Sequence, residues 1–123
     1  MPAMRSVLIV EDDDDLRQTL TELLTESGRH VSTAGSGAEA LSLLDGSEVP
    51  RPCLILLDWR MQPLPGEEFL SSLHTRGDSS QLSVVIVSAD PRAPSAGVVP
   101  EVVASLPKPF DVAALEGLLQ VYG

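Results

Sequence analysis

Aromatic side chains supply only 3% of the 123 residues, so any folded core has to be built from Leu, Val, Ile and Ala. Cysteine is reduced to Cys53 alone, which excludes a disulfide framework or a thiolate metal cluster within one chain. Its place in an apolar run reads as a small core residue. Basic charge is also scarce: 8 Lys and Arg face 18 Asp and Glu, for a net charge of −10. Such a surface repels the nucleic-acid backbone and anionic lipid, so neither direct nucleic-acid binding nor a membrane partner is expected. No apolar stretch approaches the ~20 residues that span a bilayer. Met1-Pro2-Ala3-Met4-Arg5 does not lead into a signal-type segment, and a soluble, cytoplasmic protein is the expectation. The two histidines, His30 and His74, are far apart and read as solvated or structural.

What is present is aliphatic and regularly alternating. An apolar fraction of 43% in 123 residues fits one folded domain spanning 1–123. Val7-Leu8-Ile9-Val10, Cys53-Leu54-Ile55-Leu56-Leu57 and Val84-Val85-Ile86-Val87 are unbroken apolar runs, the pattern of parallel strands covered on both faces. His30–Ala34 and Val102–Leu106 read as weaker strands. Between them fall helical stripes: Leu16, Leu20, Leu23 and Leu24, ended by Gly28; Ala38, Leu41 and Leu44; Phe69, Leu70 and Leu73; and Leu115, Leu118, Leu119 and Tyr122, with Asp111 as N-cap. Alternating β and α elements imply an α/β, doubly wound parallel sheet, whose ligands bind beyond the carboxyl ends of the strands.

The residues at those ends carry the chemistry: Glu11-Asp12 after the first strand, Asp58 after the third, Ser88 after the fourth and Lys108 after the fifth. Three carboxylates gathered at one sheet edge repel one another unless a cation joins them. Mg²⁺ fits, being a hard ion held by carboxylates, waters and phosphate oxygens. A plainer reading of residues 11–15 is an acidic first turn that complements the helix dipole, and Asp13, Asp14 and Asp15 satisfy it. Asp58 is either a turn residue or a nucleophile aimed over the sheet edge. Lys108 and Ser88 favour the nucleophile, since an ammonium and a hydroxyl are what a phosphoryl group on Asp58 requires.

These residues resemble the receiver domain of bacterial two-component response regulators, over essentially the whole chain. Val7-Leu8-Ile9-Val10-Glu11-Asp12-Asp13 is similar to its first strand and acidic pair, Leu56-Leu57-Asp58-Trp59-Arg60-Met61 with Gly66 to its acceptor loop, and Val85-Ile86-Val87-Ser88-Ala89 and Lys108-Pro109-Phe110 to its other two signatures. The resemblance implies a flavodoxin-like, five-stranded sheet of order 2-1-3-4-5 with helices on both faces. It implies phosphorylation of Asp58, Mg²⁺ bound by Asp12, Asp58, the Arg60 carbonyl and Glu11 (directly or through water), and Ser88 and Lys108 on the phosphoryl group. It also implies a cis Lys108-Pro109 bond, donation from a sensor histidine kinase or histidine phosphotransfer protein, and a downstream protein target. The domain then catalyses only its own phosphorylation and dephosphorylation.

Departures from the pattern mark where this chain differs. Glu11 replaces the usual Asp, and Gln62 the usual Pro, with Pro63 and Pro65 displaced nearby. Ser105 stands where the family has a switching Tyr or Phe. Pro91, Pro94, Pro100 and Pro107 punctuate the segment Ala89 to Pro107, so the helix expected there is short or irregular, and activation is expected to move that segment instead. Arg60 and Asp90 occupy the positions that border the path of hydrolytic water in the family, and their opposite charges are expected to pair as a gate. Trp59 is expected to lie partly exposed beside Asp58, with Met61 and Phe110 as packing residues. Gly35-Ser36-Gly37-Ala38-Glu39-Ala40 imitates a dinucleotide fingerprint, but a helix-starting turn explains it. Two other functions compete: a receiver-like interaction module without phosphotransfer, and a Mg²⁺-dependent aspartyl phosphohydrolase, which lacks its second acid because Arg60 stands at that place.

Overall fold

The structure is a computed structural model that describes residues 6–46, 49–50, 53–59, 66–77, 81–89, 101–108 and 110–122. Its elements run β1 (Ser6–Val10), α1 (Asp14–Glu26), β2 (His30–Ala34), α2 (Gly37–Asp45), β3 (Cys53–Asp58), α3 (Gly66–His74), β4 (Leu82–Ser88), β5 (Val102–Pro107) and α4 (Val112–Tyr122). The five strands form one parallel sheet of order β2-β1-β3-β4-β5, as the resemblance implies. The expected short or irregular helix between β4 and β5 falls largely on residues 90–100, outside the described residues. Among the described residues, no helix is long and apolar enough to cross a membrane.

The unbroken apolar runs are explained by two cores, one on each face of the sheet. Val7 and Ile9, Leu54 and Leu56, and Val85 and Val87 pack with Leu20 and Leu24 of α1 and Leu115 and Leu119 of α4. Leu8 and Val10, Ile55 and Leu57, and Val84 and Ile86 pack on the other side with Ala40 and Leu44 of α2 and Phe69 and Leu73 of α3. Alternate residues of a strand point to opposite faces, so a strand covered twice has to be apolar throughout. Cys53 is buried in the second core as expected. One expectation fails in α2: Ala38 is exposed, and the buried positions are Gly37, Ala40 and Leu44, because the helix begins at Gly37 and turns Ala38 outward.

The helix ends obey local chemistry. The Asp13 carboxylate caps α1, accepting from the Asp15 and Leu16 amides at 2.9 and 3.1 Å. α1 ends at Glu26 with Ser27 as its C-cap, and Gly28 beyond it takes the left-handed turn with φ of 86°. Gly28 N–H donates to Thr25 and Arg29 N–H to Leu24, the paired bonds of a Schellman motif. Asp111 caps α4 through the Ala114 amide at 2.7 Å. The glycine-rich stretch before α2 is a helix-starting turn: Ser36 Oγ accepts from Glu39 N–H, and Glu39 Oε1 accepts from Gly35 N–H at 2.7 Å.

Candidate functional site

The chain crosses from β1 outward to β2 and returns to β3 on the other side of β1, so the topological switch lies between β1 and β3. Glu11 follows β1 and Asp58 closes β3, and the register pairs Val10 with Leu57, which brings these two acids side by side. Strand alternation also aims them alike. Glu11 continues the Val7 and Ile9 series and Asp58 the Leu54 and Leu56 series, all on the α1/α4 face.

Lys108 reaches the same place by a different route. The β4–β5 register slips between Val84 and Val85, which pair with Val102 and Ala104 and leave Val103 as an extra residue. Val102 belongs to the α2/α3 core, whereas Ala104 and Leu106 pack on the α1/α4 side. A strictly regular strand would have sent Leu106, and Lys108 beyond it, to the opposite face. The bulge reverses that phase, and the Lys108 N–H is then held by the Ser88 carbonyl at 2.9 Å.

The result is a compact cluster of charge. Carboxylate oxygens of Glu11, Asp12 and Asp58 lie within 4.8 Å of one another, with Glu11 and Asp58 buried and Asp12 exposed. Lys108 Nζ lies 3.1 Å from Glu11 Oε1 and 3.6 Å from Asp58 Oδ1. Glu11 Oε2 accepts from the Asp13 amide at 3.2 Å. Burial, reinforced by the hydrogen bond and negative charge of Asp58, pushes the Glu11 carboxyl up to about 7, against the opposing pull of the Asp13 amide and Lys108. Burial disfavours the Lys108 ammonium, but Glu11 and Asp58 outweigh it and hold its pKa above the ordinary lysine value. One ammonium thus lies beside both buried carboxylates.

An all-oxygen set of this kind suits a hard divalent ion such as Mg²⁺, and Asp12 is its exposed member. Ser88 is buried at the end of β4, within the same rim. Trp59 follows Asp58, its N–H bonded to the Val87 carbonyl at 3.1 Å, and is half-buried against the α2/α3 core, as expected. Phe110 packs against the α1/α4 core. Ser105 is exposed on β5. Arg60, Met61, Gln62, Pro63, Pro65, Asp90 and Pro109 lie outside the described residues, and with them the carbonyl ligand, the Arg60–Asp90 gate and the Lys108-Pro109 isomer.

Two relationships escape sequence reasoning. The Arg17 guanidinium donates to the Glu11 carbonyl at 2.9 Å and to the Asp14 carboxylate. A lone basic residue three positions after Asp14 was the available signal. At the other end of the sheet, His74 Nδ1 stands 3.0 Å from the buried Glu101 carboxylate. No sequence spacing announces a pair 27 residues apart.

Comparison with known proteins agrees with this geometry. The family model of the response regulator receiver domain matches residues 7–120. Response regulator MprA of Mycobacterium sp. (strain KMS) is 34% identical over 113 residues, covering 92% of this chain and 46% of that protein. Transcriptional regulatory protein FixJ of Azorhizobium caulinodans is 33% identical, covering 94% of this chain and 53% of its own length. The chain therefore spans about half the length of these curated relatives. Among solved structures, a CheY-like receiver domain protein from Methanospirillum hungatei JF-1 superposes with a TM-score of 0.80 at 26% identity, covering 94% of this chain and 91% of that one. CheY4 of Vibrio cholerae gives 0.81 at 25% identity, covering 97% and 98%. With its sheet order, its acidic rim and its sequence all in agreement, the chain belongs to the response regulator receiver domain family.

Proposed function

We propose that this domain accepts a phosphoryl group on Asp58 in a Mg²⁺-dependent reaction and uses it to switch protein–protein contacts. The observation that carries the reading is the meeting of Glu11, Asp12 and Asp58 with Lys108 at the switch point of the sheet. Asp12 and Asp58 would hold the ion, with Glu11 joining directly or through water. Bound there, Mg²⁺ supplies positive charge that offsets the carboxylates and the phosphoryl oxygens.

The donor is a phosphohistidine of a sensor kinase or histidine phosphotransfer protein. A carboxylate oxygen of Asp58 forms the new P–O bond as the P–N bond breaks, and the imidazole leaves with the nitrogen electron pair. Lys108 and Ser88 meet the phosphoryl oxygens, the ammonium by charge and the hydroxyl by donation. Hydrolysis by water returns the carboxylate and inorganic phosphate, so the domain catalyses only its own phosphorylation and dephosphorylation. A net charge of −10 favours output through a downstream protein over direct nucleic-acid contact.

The test is a titration of Mg²⁺ and then beryllofluoride, followed by Trp59 emission, in wild type and Asp58→Asn. The reading expects a response that Asp58→Asn abolishes. An equal beryllofluoride response in both proteins, or none in either, overturns it. Sustained turnover of small phosphate esters would instead favour the phosphohydrolase.

A further inference from the structure

The acidic pair sits on the β1–α1 turn, where the regular sheet and helix ladders no longer fix every backbone group. Glu11 is pinned at every polar group. Its N–H donates to the Ala34 carbonyl at 3.0 Å, and its carboxylate meets Lys108 and the Asp13 amide. Its carbonyl accepts from Arg17 Nη1 at 2.9 Å. That carbonyl belongs to the planar peptide joining Glu11 to Asp12, so its direction sets the direction of the Asp12 N–H and the placement of the Asp12 backbone.

Arg17 is itself held from several sides. Its second guanidinium arm bonds the Asp14 carboxylate, and its N–H donates to the Asp13 carbonyl at 2.9 Å. Space for the guanidinium comes from Gly35 at the end of β2, where an added Cβ would stand 3.2 Å from Arg17 Nη1. Gly35 is fixed in turn by the Glu39 carboxylate at 2.7 Å. One planar fork thus joins the β1–α1 turn to the first turn of α1 and lies close over the β2–α2 turn at Gly35.

We infer that Arg17 is a positioning residue for the proposed Mg²⁺ site, orienting the Glu11–Asp12 peptide so that the Asp12 carboxylate faces those of Glu11 and Asp58. The inference rests on the metal reading of that cluster. Lysine cannot substitute, because a single ammonium lacks the rigid fork that serves a carbonyl and a carboxylate together.

The experiment measures the Mg²⁺ dissociation constant by Trp59 emission, at low temperature where each variant is verified as folded, in wild type, Arg17→Lys, Arg17→Ala and Gly35→Ala. Amide spectra of the metal-free proteins report the Asp12 and Asp13 N–H positions independently of metal binding. Loss of an outer-shell partner weakens metal binding roughly 10- to 100-fold, and that range is expected for both Arg17 variants, with displaced Asp12 and Asp13 amides. Gly35→Ala, which keeps Arg17 but crowds it, should weaken binding less and in the same direction. Unchanged Mg²⁺ affinity in the folded Arg17 variants overturns the inference while leaving the site reading intact, even if their melting temperatures fall. A wild type that ignores Mg²⁺ overturns the site reading and the inference together.

Discussion

Lys108 Nζ lies nearer to Glu11 than to Asp58, at 3.1 Å against 3.6 Å. The ammonium lies beside two buried carboxylates, and its removal takes a neighbouring positive charge from both. Lys108→Met keeps the length of the side chain without its charge. It should destabilise the protein by roughly 1–3 kcal/mol in chelator, less than a fully buried pair because a quarter of Lys108 is exposed. Added Mg²⁺ should recover part of that loss. Urea melts with chelator and with Mg²⁺ provide the check, and equal losses in the two conditions would argue against a cation site at these carboxylates.

The Glu11 carboxyl gives the metal-free protein a pH dependence of unusual sign. Its pKa rises from 4.5 to about 7 on folding, chiefly through burial. Below about 4.5 both folded and unfolded chains carry this proton; between there and about 7 only the folded chain does. The contribution is therefore complete at acid pH and is lost as pH rises through about 7, by up to roughly 3 kcal/mol at 1.36 kcal/mol per unit. Glu11→Gln removes the titration. Its stability relative to wild type, measured by urea melts in chelator, should rise between pH 5 and pH 8; a constant difference would contradict the assignment.

His74 and Glu101 form the corresponding pair at the amino end of the sheet. Glu101 is buried just before β5 while His74 is 53% exposed at the end of α3. Removing the imidazole leaves a buried carboxylate without this partner, so His74→Ala should cost about 1–2 kcal/mol. His74→Ala with Glu101→Gln should recover much of it. A double-mutant cycle measures the coupling, expected at about 0.5–2 kcal/mol given the exposure of His74.

Gly28 isolates a backbone effect. An added Cβ would meet nothing within 4 Å, yet φ is 86°. Gly28→Ala should therefore destabilise by about 1–2 kcal/mol through conformation alone, and Gly28→Asn by less. Thermal melts of the two variants settle the order.

Sequence alone determined the strands, most of the helix stripes and two of their ends, Gly28 after α1 and Asp111 before α4, because a doubly covered strand has to be apolar at every position and a helix end has to satisfy its own backbone groups. It also marked Glu11, Asp12, Asp58, Ser88 and Lys108, since charge or a hydroxyl directly after an apolar run stands out against it. The α2 stripe is the exception: Ala38 and Ala40 are the same residue type on different sides of the helix, and only the helix start at Gly37 decides which of them faces the core.

Tertiary structure alone decided how those marked residues meet. Strand register set Glu11 beside Asp58, and a single extra residue in β5, Val103, reversed the phase of that strand and delivered Lys108 to their side of the sheet. A side-chain period of two makes every one-residue offset a change of face, and only pairing with β4 fixes the offset. The same holds for Arg17 over Gly35 and for His74 against Glu101, whose partners are neighbours in space and not in the chain.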